Sequence, residues 1–219
     1  MDHGLPPALA QFRALPAPIR RALLRRHGEA VLLAALGGAG SLRADQLPPP
    51  GDWAIWAMLA GRGFGKTRAG SEWIHGLAGA APRRFALVGA TLDNARAVMV
   101  EGESGLLALV PPGQDLTWRP SPRRLDWANG SEARIFSGGD PDALRGGQFH
   151  YGWGDEFAHW PQAEAALTNL RLATRLGDLP RLLLTTTPLP MAWLKALLAE
   201  PAVAVTRGVT MANAANLPD

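Results

Sequence analysis

The sequence contains no cysteine, only two lysines and no long uninterrupted apolar run. A chain without cysteine cannot form a disulfide, bind a metal through thiolates or use a catalytic thiol. The apolar run at residues 30–36 is about half the ~18 residues that a membrane span needs, and Glu29 interrupts the segment before it. We therefore expect no membrane segment, no export signal and a cytoplasmic location.

Nearly all of the basic side chains are arginines. Lysine and arginine together number 22, the lysines being Lys66 and Lys195, and the formal net charge is +3. The arginine bias fits either a GC-rich coding sequence or phosphate binding, for which the planar guanidinium is well suited. Arg83-Arg84 and Arg119 with Arg123-Arg124 are accordingly either a solvated face or contacts to a nucleic-acid backbone.

The chain of 219 residues divides at a proline run and is long enough for one sizeable α/β domain. Residues 1–45 predict a helical lead-in, and Pro48–Pro50 predict a hinge before a domain at 46–219. We expect strands at 53–59, 85–91, 149–153, 181–187 and 202–209, helices beginning near 66, 93, 161 and 190, and a hairpin around Asn129-Gly130. Strands that alternate with helices favour a mostly parallel central sheet with helices on both faces.

The first expected strand leads into LAGRGFGKTRAG, residues 59–70, which nearly matches the P-loop pattern G-x-x-x-x-G-K-S/T. Only the first position departs, and Ala60 is a fault there only if the backbone needs a positive φ. Glycines let the backbone curl around a phosphate, and the N-terminus of the following helix favours the anion. We expect Lys66 to bind the phosphates of ATP and Thr67 to bind Mg²⁺. The predicted nucleotide-binding residues of this loop are Gly61, Arg62, Gly63, Phe64, Gly65, Lys66, Thr67 and Arg68.

An acidic pair follows the weak strand expected at 149–153. In GWGDEFAHW, Asp155 is expected to hold Mg²⁺ through a water, and Glu156 to orient and activate the attacking water. Gln148 and His150 stand where apolar residues are expected, so this strand is the least regular of the set. Asp-Glu pairs are commonly just solvated, and the P-loop upstream is what favours a catalytic pair.

Two further features point towards the same edge of the sheet. The strand in LLLTTTP ends in Thr185, Thr186 and Thr187, and ligands bind at the carboxyl ends of strands in such folds. These hydroxyls could report the state of the nucleotide, or they are a β-branched strand terminus. Arg145, on the glycine-flanked loop DALRGGQ, could neutralise charge in the transition state.

Together these motifs resemble the large terminase subunit, the ATPase that packs DNA into the heads of tailed phages and phage-like gene transfer agents. The resemblance rests on GRGFGKTRAG, on NGSEARIFSGGDPDALRGGQF leading into DEFAHW, and on TTTP, in this order over residues 46–190. It implies a P-loop NTPase of the RecA/ASCE type, a three-layer sandwich with ATP and Mg²⁺ as cofactors. It also implies roles for Arg62 in the loop and for Arg145 as a finger on a neighbouring subunit's ATP.

The resemblance extends to partners and to a missing domain. It implies double-stranded DNA, a portal protein and a small terminase subunit as partners, with a homo-oligomeric ring on the portal and a monomer in isolation. The expected place is the bacterial cytoplasm, transiently at the capsid portal. Large terminases carry a C-terminal nuclease after the ATPase domain, and residues up to 219 leave no room for it, so we expect no nuclease activity here. By resemblance, Gln46 and Trp53 are the candidates for contacts to adenine; their alternatives are a linker amide and a core indole.

Two rival functions fit the same motifs. A helicase-like translocase of the RecA type shares the P-loop, the acidic pair and a hydroxyl-rich third motif. A nucleotide-gated binding module that does not hydrolyse ATP shares the P-loop alone. Strand separation would favour the first rival, and weak turnover that rises steeply with protein concentration would distinguish an assembling ATPase from the second.

Overall fold

An eight-stranded sheet forms the centre of the fold. The computed structural model describes residues 15, 16, 18–20, 22, 23 and 42–208. The strands are β1 (Ile55–Ala60), β2 (Arg84–Gly89), β3 (Leu116–Arg119), β4 (Arg124–Trp127), β5 (Glu132–Ser137), β6 (Tyr151–Gly154), β7 (Arg181–Thr186) and β8 (Val203–Gly208). The helices are α1 (Lys66–Ala80), α2 (Leu92–Asn94), which continues as a π-helix (Ala95–Val100), α3 (Ala163–Ala173) and α4 (Ala192–Leu198). Short 3-10 helices lie at Ala44–Gln46, Pro141–Leu144 and Phe157–His159.

The strand order is β3-β4-β5-β2-β6-β7-β1-β8. The six neighbouring strands β5, β2, β6, β7, β1 and β8 are parallel to one another. Strands β3 and β4 extend the sheet beyond β5 in antiparallel pairing. β7 lies between β1 and β6, so one strand separates the strand before the P-loop from the strand before the acidic pair. The carboxyl ends of these three strands lie at one edge, where ligands bind in open parallel sheets.

Helices cover both faces of the parallel part of the sheet. On one face Trp73 and Leu77 of α1 pack with Trp56 and Met58 of β1. On the other face, side chains of α3 and α4 pack with Leu184 and its neighbours in β7. Each fully buried side chain of this size contributes about 1.5–3 kcal/mol. The α/β, three-layer P-loop fold with a mostly parallel sheet is therefore confirmed.

The expected elements are largely present, with shifted ends. The helix predicted to begin at Asp93 is capped by Thr91 instead, because the Thr91 hydroxyl accepts a hydrogen bond from the Asn94 amide at 3.1 Å. The strand predicted at 149–153 lies at Tyr151–Gly154, since Phe149 forms only an isolated bridge. Strand β3 was not predicted, because its alternation of apolar and polar residues covers only four positions. The Asn129-Gly130 hairpin is present between β4 and β5.

The lead-in predicted at 1–45 lies mostly outside the described residues. Its described end, the 3-10 helix Ala44–Gln46, crosses the expected boundary at residue 46 and contacts the P-loop. None of the described helices has the length and apolar character needed to cross a membrane.

Candidate nucleotide-binding site

The P-loop lies between β1 and α1 with two glycines in the left-handed region. Gly63 has φ 73° and Gly65 has φ 89°, conformations that glycine adopts without strain. The first peptides of α1, a helix of 15 residues, follow directly and favour an anion at this end. Ala60 is the last residue of β1 and pairs with Gly208, so its backbone is extended and alanine fits without strain.

Lys66 is buried and its ammonium has four oxygen neighbours. Nζ donates to the Ala60 carbonyl at 2.9 Å, to the Gly61 carbonyl at 3.2 Å and to the Thr187 hydroxyl at 3.3 Å. It also lies 3.1 Å from Glu156 Oε1 in an ion pair. The lysine therefore connects the P-loop to the acidic pair and to the end of β7.

Asp155 follows the last residue of β6 and is 4% exposed. The Thr185 hydroxyl donates to Asp155 Oδ1 at 2.7 Å. Burial raises the pKa of Asp155 to about 6, and the Glu156 carboxylate adds to the rise, whereas the Thr185 hydrogen bond and the charge of Lys66 oppose it. A buried carboxylate with one protein donor is a suitable anchor for a hydrated cation.

Glu156 has a left-handed backbone, with φ 47° and ψ 43°, which is rare for a residue other than glycine. Such strain costs on the order of 1–3 kcal/mol and is found mainly at functional sites. The Thr187 amide donates to Glu156 Oε2 at 2.8 Å, and the Thr187 hydroxyl lies 3.4 Å from Oε1. His159 Nε2 lies 3.8 Å from Oε2. The carboxylate is thus aimed across the end of β7 towards Lys66.

The three threonines at the end of β7 do not act alike. Thr185 contacts Asp155, and Thr187 contacts Glu156 and Lys66. Thr186 is buried, and its hydroxyl donates to the Thr187 carbonyl at 3.0 Å. Sequence reasoning expected one hydroxyl run at this edge, whereas the structure divides it between the two acidic residues.

Other predicted residues lie at varying distances from this centre. Thr67 is the second residue of α1 and is half-buried. Arg62 is exposed on the loop, and Arg68 Nη2 lies 3.9 Å from Glu72 Oε1 one turn along α1. Phe64 is fully buried beneath the loop. Arg145 is not brought to the site, because its exposed side chain pairs with Asp142 at 3.1 Å on the connection between β5 and β6.

The two residues expected to contact adenine lie in different parts of the fold. Trp53 precedes β1, about 20 Å along the strand from the P-loop. The Arg181 guanidinium lies over the Trp53 ring, with its Cζ 4.1 Å from the ring centroid. Gln46 is 4% exposed, and its Nε2 donates to the Phe64 carbonyl at 2.9 Å. The structure therefore brings Gln46 to the P-loop backbone and leaves Trp53 at the opposite edge of the sheet.

Sequence reasoning missed Arg43. Its Nη2 donates to the Phe64 carbonyl at 2.9 Å, from 21 residues upstream. Nothing in the local sequence marks this contact, because one arginine among many has no distinguishing pattern and the partner is a backbone atom.

The P-loop, the acidic pair and the threonine strand now lie at one sheet edge in the expected order. A family model described as "Terminase large subunit, T4likevirus-type, N-terminal" matches residues 57–216. This chain belongs to that family. No curated protein matches the chain at a significant level.

Solved structures of large terminases share the fold of this family member. The large terminase of a thermophilic bacteriophage is 17% identical, with a TM-score of 0.64, over 89% of this chain and 48% of that chain. The same phage protein in complex with ADP is 15% identical, with a TM-score of 0.63, over 88% and 47%. The ATPase domain of the Thermus phage P74-26 large terminase is 18% identical, with a TM-score of 0.54, over 93% and 94%. The chain thus spans about half the length of the first of these terminases and nearly all of the isolated P74-26 domain.

Proposed function

We propose that this chain is the ATPase motor domain of a large terminase, which hydrolyses Mg-ATP to drive double-stranded DNA into a phage or gene-transfer-agent head. The observation that carries the proposal is the contact of Lys66 with both Glu156 and Thr187 at the edge where the P-loop begins α1. Large terminases of the same fold have been solved with ADP and with ATP-γ-S. Family membership and this constellation together support a nucleotide-driven packaging motor.

The residues present fit a magnesium nucleotide. Left-handed Gly63 and Gly65 turn the loop around an anion, and Lys66 supplies a cation beside it. Thr67, at the start of α1, and buried Asp155 are the oxygen donors for Mg²⁺, Asp155 through a water. When bound, the ion would neutralise charge on the phosphates. Among the described residues no cluster of three histidine or acidic side chains forms a fuller metal cage, in keeping with an ion held partly by waters and phosphate.

Glu156 is the residue we assign to the attacking water. Its carboxylate is fixed by the Thr187 amide at 2.8 Å, and its strained backbone holds it at the sheet edge. A carboxylate in this position orients a water and accepts its proton. In the structure the same carboxylate pairs with Lys66. Arrival of phosphate at Lys66 would compete with that pair and free Glu156 for its catalytic role.

Thr185, Thr186 and Thr187 are the proposed coupling residues. Thr187 contacts Glu156 and Lys66, while Thr185 contacts Asp155, so changes at either acidic residue reach β7 directly. β7 leads into α4 through residues 187–191, which offers a path for movement out of the site. This division supports β7 as the strand that relays loss of the γ-phosphate.

Arg62 and Arg145 are the proposed sources of transition-state charge. Arg62 is exposed on the P-loop itself and fits a role within one subunit. Arg145 has a side chain that is 70% accessible and pairs with Asp142, and so fits a finger offered to a neighbouring subunit. This division favours a ring of subunits assembled on a portal protein, with the small terminase subunit as a further partner, and a monomer in isolation.

A row of arginines on the outer strands supports contact with DNA. Arg119, Arg124 and Arg134 are direct cross-strand neighbours on β3, β4 and β5. Their face of the sheet is opposite to the one on which Leu125 and Ala133 enter the core. Asp126 and Glu132 offset part of this charge, and the guanidinium of Arg119 pairs with Asp126. We name this set the arginine row and propose that it contacts the phosphate backbone, where guanidinium groups bind well.

The Glu156→Gln variant tests the proposed function. Gln keeps the shape and the hydrogen bond from the Thr187 amide but cannot accept a proton, so turnover should fall about 10²–10⁴-fold. ATP affinity should hold or improve, because Lys66 is no longer engaged in an ion pair. Phosphate release measures turnover, and fluorescent nucleotide binding measures affinity. Glu164→Gln on α3 is the matched control, and unchanged turnover in Glu156→Gln would refute the assignment.

The same assays, together with a strand-separation assay, distinguish this proposal from its rivals. An assembling motor should gain turnover steeply as protein concentration rises, since Arg145 acts between subunits. A passive nucleotide-binding module would bind ATP with no turnover at any concentration. Separation of a forked duplex by the wild-type chain would favour a helicase-like translocase.

A further inference from the structure

Two adjacent arginines, Arg83 and Arg84, lie where β2 begins, at the edge of the sheet opposite the P-loop. Neither residue takes part in the proposed nucleotide site. The Arg84 side chain is 57% exposed, and its Nε lies 3.7 Å from Glu132 Oε1. The Arg83 guanidinium forms no ion pair with the described residues, and its Nε has no hydrogen-bond partner among them. The amino end of β2 therefore carries more positive charge than its neighbours neutralise.

His150 lies beside this pair, directly before β6. Its Nδ1 accepts a hydrogen bond from the Arg84 amide at 3.0 Å, and its own amide donates to the Arg84 carbonyl at 2.9 Å. Because Nδ1 is an acceptor, the proton of the neutral imidazole is on Nε2. The polar residue that made this strand irregular in the sequence thus has a definite contact, and it still offers one N–H donor at Nε2.

His150 and Arg83 meet at Gly177, on the connection between α3 and β7. A Cβ added at Gly177 would lie 3.2 Å from His150 Cδ2, the ring atom bonded to Nε2, and 3.9 Å from Arg83 Nη1. Gly177 is exposed and has φ 78°, a conformation that glycine adopts without strain. Two donors from different parts of the chain therefore face a glycine that has no side chain to cover them.

The charges at this edge suit an anion. Burial lowers the pKa of His150, and the charges of Arg83 and Arg84 lower it further, so the imidazole is neutral at pH 8. Exposed Asp178, which follows Gly177, offsets part of the positive charge. Two guanidinium groups and one neutral N–H donor form a set that matches the oxygens of a phosphate group. We call Arg83, Arg84 and His150 the amino-edge set.

The amino-edge set continues the face of the sheet that carries the arginine row. Ala86 of β2 pairs with Arg134 of β5, and Arg84 pairs with Glu132, two residues before Arg134. Side chains two residues apart in a strand share a face, so Arg84 lies on the side of Arg134. One strand spacing and two residues separate their backbones, about 8 Å diagonally. Guanidinium groups therefore follow one another from β3 to the amino end of β2.

We propose that Arg83, Arg84 and His150 bind a backbone phosphate of duplex DNA and extend the arginine row to the amino edge of the sheet. This inference rests on the proposed function, in which the row contacts DNA. A DNA backbone fits better than a free phosphate ion, because its successive phosphates can occupy the row and the amino-edge set together. Contacts of this kind hold the duplex in position without reading its sequence.

Arg83→Gln and His150→Asn test the set without changing Glu132, the acid that it shares with the row. Asn can place an oxygen where Nδ1 accepts from the Arg84 amide, but it has no donor at the position of Nε2. Arg83→Lys keeps the charge. Arg96→Gln is the matched control, because Arg96 lies on the π-helix that covers the opposite face of the sheet.

Three measurements are made on each variant. Fluorescence anisotropy gives the Kd for a short duplex over a range of salt concentrations at pH 8. Calorimetry measures binding of inorganic phosphate. Thermal unfolding and basal ATP turnover show whether the variant is folded and whether its nucleotide site is intact.

We expect Arg83→Gln to reduce the slope of log K for DNA binding against log salt concentration by about 1, because one charged phosphate contact is lost. His150→Asn should raise the Kd about three- to tenfold without changing the slope, because the lost donor is neutral. Arg83→Lys should keep the wild-type slope, and Arg96→Gln should change neither quantity. Basal ATP turnover should be unchanged in all four variants, since the amino-edge set lies at the sheet edge opposite the P-loop.

The inference and the proposed function fail in different ways. Wild-type Kd and slope in both Arg83→Gln and His150→Asn, while Gln variants of the arginine row weaken binding, would overturn the inference and leave the row's DNA contact intact. Loss of inorganic phosphate binding with unchanged duplex binding would overturn it in favour of a site for a free anion. A wild-type chain that binds no duplex would contradict the proposed function and this inference together.

Discussion

Replacing Asp155 by Asn should stabilise the nucleotide-free domain at neutral and alkaline pH. Asp155 is buried, and its pKa is raised from 3.8 to about 6. The difference between these two pKa values corresponds to about 3 kcal/mol of free energy of unfolding. Asn keeps an acceptor for the Thr185 hydroxyl, which donates to Oδ1 at 2.7 Å, and removes the buried charge.

The sign of the pH dependence follows from proton binding. Between about pH 4 and pH 6 the folded chain binds more protons at Asp155 than the unfolded chain does, so wild-type stability falls as pH rises through this window. Above about pH 6 the buried charge of Asp155 destabilises the folded chain fully, and below about pH 4 this destabilisation is absent. The gain from Asp155→Asn should therefore be about 3 kcal/mol at pH 8 and under about 1 kcal/mol at pH 4.

Thermal and urea unfolding in the presence of a chelator measure this difference. For a domain of 219 residues, about 3 kcal/mol corresponds to roughly 6–12 °C in Tm. Asp115→Asn is the matched control, because the Asp115 side chain is exposed. Equal stability of Asp155→Asn and wild type at pH 8, or a gain that does not change with pH, would refute the reasoning. The same variant should lose Mg²⁺-dependent turnover, which separates a functional cost from the stability gain.

Three further predictions concern the loop, the finger and the arginine row. Gly65→Ala should lower the free energy of unfolding by about 1–3 kcal/mol and weaken ATP binding, because φ is 89° at this position and Gln46 is close. Gly113→Ala is the control: φ is 81° and no atom lies within 4 Å, so this variant should be destabilised without losing ATP binding. Arg145→Ala should leave Tm unchanged but reduce turnover of the assembled ring about 10³-fold or more, whereas Arg175→Ala should not; equal turnover in the two rings would exclude a finger. Replacing any one arginine of the arginine row by Gln should reduce the slope of log K for DNA binding against log salt concentration by about 1. Arg171→Gln is the control, because Arg171 pairs with Glu200 outside the row. A slope that does not change in the row variants would show that DNA does not bind at the row.

The parts of the fold with local signals were predictable from sequence. The P-loop helix, the Asn129-Gly130 hairpin and strand β7 follow from glycine placement, a turn dipeptide and an apolar run. Strand β3 was harder to predict, because its alternating pattern covers only four residues and its register depends on pairing with β4. The ends of the strand before Asp155 were shifted for a similar reason, since pairing of β6 with β2 and with β7 decides where β6 lies.

The candidate site divides along the same line. Lys66 could be proposed because its motif follows a recognisable strand, whereas Asp155 and Glu156 follow a weak strand and were favoured by the P-loop upstream. The contacts of Arg43 and Gln46 could not, because side chains that donate to distant carbonyls leave no spacing rule in the sequence. The division of the three threonines between two carboxylates likewise depends on side-chain direction, which only the register of β7 between β1 and β6 provides.

The ion pair between Lys66 and Glu156 also bears on how a cycle would end. β7 lies between β1, which leads into the P-loop, and β6, which leads into the acidic pair, and the side chains of Lys66 and Glu156 meet at 3.1 Å. In the proposed function, Glu156 and the phosphates of a bound nucleotide would compete for the same ammonium group. Once the γ-phosphate has left, less negative charge remains to hold Lys66, and Glu156 becomes the stronger competitor. The pair would then favour release of the spent nucleotide, resetting the subunit before the next ATP arrives.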